Sequence, residues 1–216
     1  MHRWTLFWAF VAVMTATTLW GLVAGGADEK TAGLLVRWTI RAAVVPFLLA
    51  FYASALRTLW PGHASDWLID NRRFLGLAMA YGIAMNLVAI AWLASFDRGV
   101  YWGGLSVLDR VESYGGVAVA VAMTMTSFDR FSARLSPGAW RVLHTLGMYA
   151  LWWVFFRTNA LYSLAAVRRG LVAERWLYLL VTSLLIGALL LRMTAFIVRL
   201  RDGHDRVLPS EPALGR

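Results

Sequence analysis

Apolar runs of about 20 residues, the length that spans a bilayer's hydrocarbon core, recur along the chain between short polar breaks. They predict six membrane-spanning helices, over about residues 4–25, 33–57, 73–95, 112–128, 139–157 and 175–199, and therefore an all-α integral membrane bundle. The fourth run, "YGGVAVAVAMTMTSF", is short and built from small residues, which predicts a tightly packed interior helix. The first run follows a basic start and precedes the small residues "VAGGA", as a signal peptide would. It is longer than a usual signal core and holds Trp4, Trp8 and Trp20, so an uncleaved first helix is expected. Residues 1–201 thus form one transmembrane domain. Residues 202–216, "DGHDRVLPSEPALGR", have little apolar content and two prolines, and predict a mobile cytoplasmic tail.

Composition sharpens this picture. The chain is 60% hydrophobic and only 15% charged, unlike a soluble domain. It has no cysteine, which excludes disulfides, thiol catalysis and thiolate metal sites. A net charge of +9 would suggest nucleic acid in a soluble protein. Here the arginines flank apolar runs and suit anionic lipid headgroups, so the bilayer is the expected partner and nucleic acid is not. With both termini inside, eleven basic residues fall on the inner side and nine on the outer, and the short inner segments "MHR" and "NRR" favour that orientation. There is no phosphate loop, no GxGxxG and no HExxH, hence no flavin or nicotinamide site in this chain. No repeat supports an inverted-repeat transporter.

Three stretches carry a resemblance: "RRFLGLAMAYGIAMNL" (72–87), "TSFDRFSARLSPGAWRVLHTLGMY" (126–149) and, more loosely, "RWTIRAAVVPFLLAFYASALRTLWP" (37–61). Together they resemble the ferric-reductase-like transmembrane family, which includes the haem-binding membrane subunit of the bacterial methionine-sulfoxide reductase system. The likeness covers roughly residues 35 to 200. It implies a bundle in the bacterial inner membrane whose third and fifth helices clamp b-type haem between histidines. It implies an oxidoreductase-type subunit passing electrons across the membrane, from quinol or a separate reductase, to a periplasmic partner.

The residues depart from that pattern. His144 matches the inner histidine of the fifth helix. The outer position, thirteen residues on and about 20 Å away along a helix, is Arg157. The third-helix partner position of the outer pair is Asn86, and the inner site's third-helix position falls near Arg73. Neither an amide nor a guanidinium is a useful iron ligand. A haem on His144 would need a sixth ligand, with Met79 or a folded-back His63 as the candidates. Met148 lies one turn away on the same helix face and cannot oppose His144.

Each residue also has a plainer role. Asn86 can join helices by hydrogen bonds, or mark a pocket for a quinone headgroup. Arg157 can pair with Glu112 or Asp109, anchor at the interface, or hold an anion. Arg37 and Arg41 share one face and suit lipid phosphate or a haem propionate. Arg192 lies near enough to a helix end to snorkel. The sequence therefore leaves three functions open. One is an electron-transfer subunit that has lost its outer haem and anchors at most one on His144. Another is a haem-less scaffold or accessory subunit, with Trp152, Trp153, Phe155 and Phe156 filling the old cavity. The third is a quinone or lipid carrier with a cavity at Asn86.

Overall fold

The computed structural model describes residues 3–168 and 172–205. Eight helices make up the described chain: α1 (Arg3–Gly25), α2 (Glu29–Leu59), α3 (His63–Phe96), α4 (Arg98–Gly103), α5 (Val107–Met125), α6 (Asp129–Ser132), α7 (Pro137–Arg168) and α8 (Val172–Asp205). The fold is all-α. The breaks follow local chemistry. Gly26 takes a left-handed φ of 81° to end α1. Asp28 caps α2 by accepting from the Thr31 N–H at 2.7 Å. Pro61 and Gly62 end the α2 register, and the Ser65 hydroxyl accepts from the Gly62 N–H at 3.0 Å as α3 begins. Ser136 and Pro137 start α7, the former capping the Ala139 N–H at 3.2 Å.

Four helices are long and apolar enough to cross a membrane: Trp4–Gly25, Glu29–Leu59, His63–Phe96 and Arg175–Arg201. Six spans were expected. The two that fall short, α5 and α7, do so because of polar side chains: Asp109, Arg110 and Glu112 in α5, and Arg141, His144, Arg157 and Asn159 in α7. Of these, Asp109, Glu112, Arg141, His144 and Arg157 build the sites described below. Much of the apolar surface faces outward, as at Trp8, Trp20 and Val23 on α1 and Phe196 on α8. A bilayer explains such a surface; water does not.

The boundaries differ from the apolar pattern in one informative way. α3 starts at His63, ten residues before the expected span, because the polar segment 63–72 continues the helix beyond its hydrophobic part. α8 likewise runs on to Asp205, into the segment expected to be mobile; residues 206–216 lie outside the described residues, as do His2 and the His204 side chain.

α2 is the central helix, packed most extensively along α3 and also against α8 and α1. α7 packs on α8 and α5, while α3 and α5 touch only lightly. The core joins Phe47 and Phe51 of α2, Leu75 and Met79 of α3, Met148, Leu151 and Phe155 of α7, and Leu185 of α8. The small residues of α5 do not make it an interior helix: only Ala120 and Met123 are buried there, because α2 already occupies the centre.

Candidate functional site

The C-terminal half of α7 is closed. The two N–H groups of the Asn86 amide are directed to α2, with Nδ2 2.8 Å from the Val36 carbonyl and 3.1 Å from Thr39 Oγ1. The amide is buried, so these bonds offset a desolvation cost of about 1–3 kcal/mol. Arg157 turns the other way, to α5, donating to Asp109 at 2.8 Å and to Glu112. Glu112 also accepts from the Trp153 indole at 2.9 Å. Between these helices Phe155 is 2% exposed, its ring 4.9 Å from Phe47. Trp152 donates to the Leu185 carbonyl at 2.8 Å and stacks on Phe156. Asn86 and Arg157 are thus committed to different neighbours, and large side chains fill the space. These residues do not fit a haem.

Asp109 also accepts from the Ser106 hydroxyl and N–H, closing the α5 N-terminus. The Ser106 hydroxyl, then Arg157, hold its carboxyl below the usual range. A depressed folded pKa contributes stability that is complete above the ordinary value, about 3.9, and is lost as pH falls through the lower folded value. Thermal unfolding in detergent is therefore expected to shift downward only below about pH 4. Ser106→Ala should make that fall smaller and complete at a higher pH, with its onset, set by the unfolded chain, unchanged.

The N-terminal end of α7 is open. A cavity of about 790 Å³ lies between α3, α5 and α7, floored in part by Ala50 of α2. This is within the usual size range of small-molecule sites. The light contact between α3 and α5 leaves this wedge, and the segment from Thr126 to Pro137 roofs it. His144, Arg73 and Met79 all line it. So does Met148, beside His144, whereas His63 is exposed at the start of α3 and lies outside the lining.

The lining is graded by helix register. On α3, Arg72 and Arg73 precede Gly76 and Met79; on α7, Trp140 and Arg141 precede Met148; just past the end of α5, Thr126 and Ser127 follow Met123. Charged and hydroxyl groups therefore ring the mouth and methionines form the floor one to two turns deeper.

His144 is already engaged. Its Nε2 is 3.1 Å from Thr126 Oγ1, and the Thr126 hydroxyl lies 2.7 Å from the Ala122 carbonyl. The hydroxyl proton goes to that carbonyl, which assigns the ring proton to Nε2, donating to Thr126. Trp140 stacks on the ring at 4.2 Å, fixed by its own bond to the Thr126 carbonyl at 3.1 Å. The nitrogen that would coordinate iron is thus occupied, one ring face is covered, and no second histidine lines the cavity among the described residues. The residues of this cavity, as arranged, do not fit a b-type haem either.

Arg192 does not snorkel. Its guanidinium sits 4.3 Å over Phe51 and 5.0 Å over Tyr149, inside the bundle. Arg41 lies 4.4 Å over the Tyr178 ring of α8 rather than projecting to the headgroups. Sequence reasoning used the Arg72–Arg73 pair as a motif and missed Arg72, Thr126, Trp140 and Arg141 as a shared wall. The available signal was the polar loop "TSFDRFSARLSP", which ends at His144's own helix.

Compared with family models, with curated proteins and with solved structures, the chain matches none.

Proposed function

We propose that this protein is a divergent ferric-reductase-like membrane protein of the bacterial inner membrane. It would have six spans and both termini cytoplasmic, and would have given up transmembrane electron transfer to act as a haem-less membrane subunit with one binding cavity at its inner end. One observation carries this reading: the positions where the resemblance expects ligands are internally satisfied, Asn86 by α2, Arg157 by two carboxylates and His144 by Thr126. A haem would have to break those bonds and displace Phe155 or Trp140 from contacts already made. Electron transfer over the bundle's height needs two cofactors near opposite faces, and the outer half has no room for one.

A second reading has a specific observation behind it. His144, the thioether of Met79 and three arginines suited to propionates share one cavity. That set would hold a single haem if the Thr126 bond and the Trp140 stack both opened. The reduced-minus-oxidised absorbance spectrum of protein expressed with haem supplied separates the two. The lead reading expects no b-type α-band and a negligible pyridine haemochrome yield. About one haem per chain, lost in His144→Ala, establishes the second reading instead.

A further inference from the structure

Arg72 is the unexplained residue of the inner cavity. It lines the cavity, yet it has no hydrogen bond or ion pair among the described residues. Arg73 and Arg141 line the same wall, and Arg192 and His144 are within electrostatic reach of Arg72. Among the described residues the only acidic one in the lining is Asp129, which is 94% exposed and 3.5 Å from Arg73. Arg141 donates to the Pro137 carbonyl of its own helix at 3.3 Å, leaving further donors of its fork unused. Three guanidiniums against one exposed carboxylate make a wall suited to an anion. A guanidinium partly withdrawn from water is costly unless a counter-charge meets it.

The level of this wall identifies the source of the anion. From Phe74 to Phe96, α3 carries no charged residue. That stretch is about 35 Å long at 1.5 Å per residue, close to the thickness of a hydrocarbon core. Arg72 and Arg73 are the first residues beyond it, at the height of lipid phosphates. Below them the wall turns apolar, with Met79, Met123, Met148 and Ala50, and a Cβ added at Gly76 would meet nothing within 4 Å. A free phosphate would leave this floor uncovered. An amphiphile would use both parts: its phosphate takes the arginine forks, which match phosphate geometry, and its chain lies over the flexible thioethers.

Resting on the reading that the cavity holds no haem, we propose that it binds an anionic phospholipid, with the headgroup phosphate on Arg72, Arg73 and Arg141 and an acyl chain over the methionine floor. The test uses the full-length protein in a neutral detergent, its melting temperature followed during titration. The probes are short-chain phosphatidylglycerol, phosphatidylcholine of equal chain length, and inorganic phosphate. Phosphatidylglycerol should stabilise saturably and bind at least about tenfold more tightly than phosphatidylcholine, the worth of one charge-assisted contact. Arg72→Gln should remove most of that preference without lowering the melting temperature of the lipid-free protein. Gly76→Phe, which fills open space, should abolish saturable binding in a protein that stays folded, and so keeps the test valid if Arg72→Gln fails to fold.

Equal binding of the two lipids, or an unchanged preference in Arg72→Gln, overturns the proposal. Inorganic phosphate binding as tightly as phosphatidylglycerol overturns the lipid assignment and identifies a soluble phosphate instead. Absorbance on the same samples keeps the two readings apart. A Soret band that His144→Ala removes and phosphatidylglycerol leaves unchanged places haem in the cavity and overturns both; one that falls as phosphatidylglycerol is added overturns the haem-less reading alone. A flat spectrum with no lipid preference overturns the phospholipid proposal alone.

Discussion

Replacing Arg157 by methionine is expected to destabilise the protein by about 2–3 kcal/mol. The arginine is 21% exposed and bridges Asp109 and Glu112, the latter only 12% exposed. Removing it leaves two carboxylates close together, each short of a donor, on α5. Fully buried pairs broken this way cost about 3–5 kcal/mol; partial exposure places this one lower. α5 should feel the loss most, because α7 is its main support. Denaturation in mixed micelles and hydrogen exchange along α5 measure it. Glu112→Gln in the Arg157→Met background should recover part of the stability, since it removes the stranded charge while keeping an acceptor for the Trp153 indole. An Arg157→Met protein as stable as the parent would mean that water already screens the cluster, and Arg157 would then be an interface anchor and no more. Arg157→His should not create a haem site, because Phe155 still fills the space.

The second large effect is at Gly82. Alanine normally gains about 1 kcal/mol over glycine inside a helix. Here the sign should reverse. A Cβ at Gly82 would lie 2.7 Å from the Ala43 Cβ, 3.1 Å from the Ala43 Cα and 2.7 Å from the Met14 Cε. The methionine end can swing aside, but Ala43 is fixed in α2. Gly82→Ala is therefore expected to cost about 2 kcal/mol net, the usual range for overpacking, or a melting point lower by about 4–8 °C. The effect should reach the site: Asn86 is one turn from Gly82, and only this close approach brings its amide within reach of Val36 and Thr39. Gly76→Ala is the control. Nothing lies within 4 Å of its Cβ, so it should be neutral or stabilising. If Gly82→Ala behaves like Gly76→Ala, the α2–α3 interface is looser than its geometry implies.

What could be read from the sequence follows from the physics of each signal. The long apolar runs of α1, α2, α3 and α8 act alone, because any bilayer selects 20 or so apolar residues whatever their neighbours. The charged and polar residues of α5 and α7 blunt that signal. α5 was misplaced for a related reason. Small residues allow close packing, but they do not say which helix takes the centre. That depended on α2, whose Phe47 and Phe51 fill the space between α3, α7 and α8.

The sequence by itself determined an all-α chain rich in membrane-length apolar helices, without thiol chemistry, and with histidine at only one, His144, of the positions where the resemblance expects ligands. It could even name Asp109 and Glu112 as partners for Arg157, since a cation and two carboxylates at matching helix ends attract wherever they meet. The tertiary structure alone decided the rest: that Asn86 faces α2 and not a cofactor, that His144 is tied to Thr126 and covered by Trp140, and that Arg72 meets no counter-charge among the described residues. A side chain's direction, and what stands opposite it, depend on how helices distant in sequence rotate and approach. Only close packing between them fixes that angle.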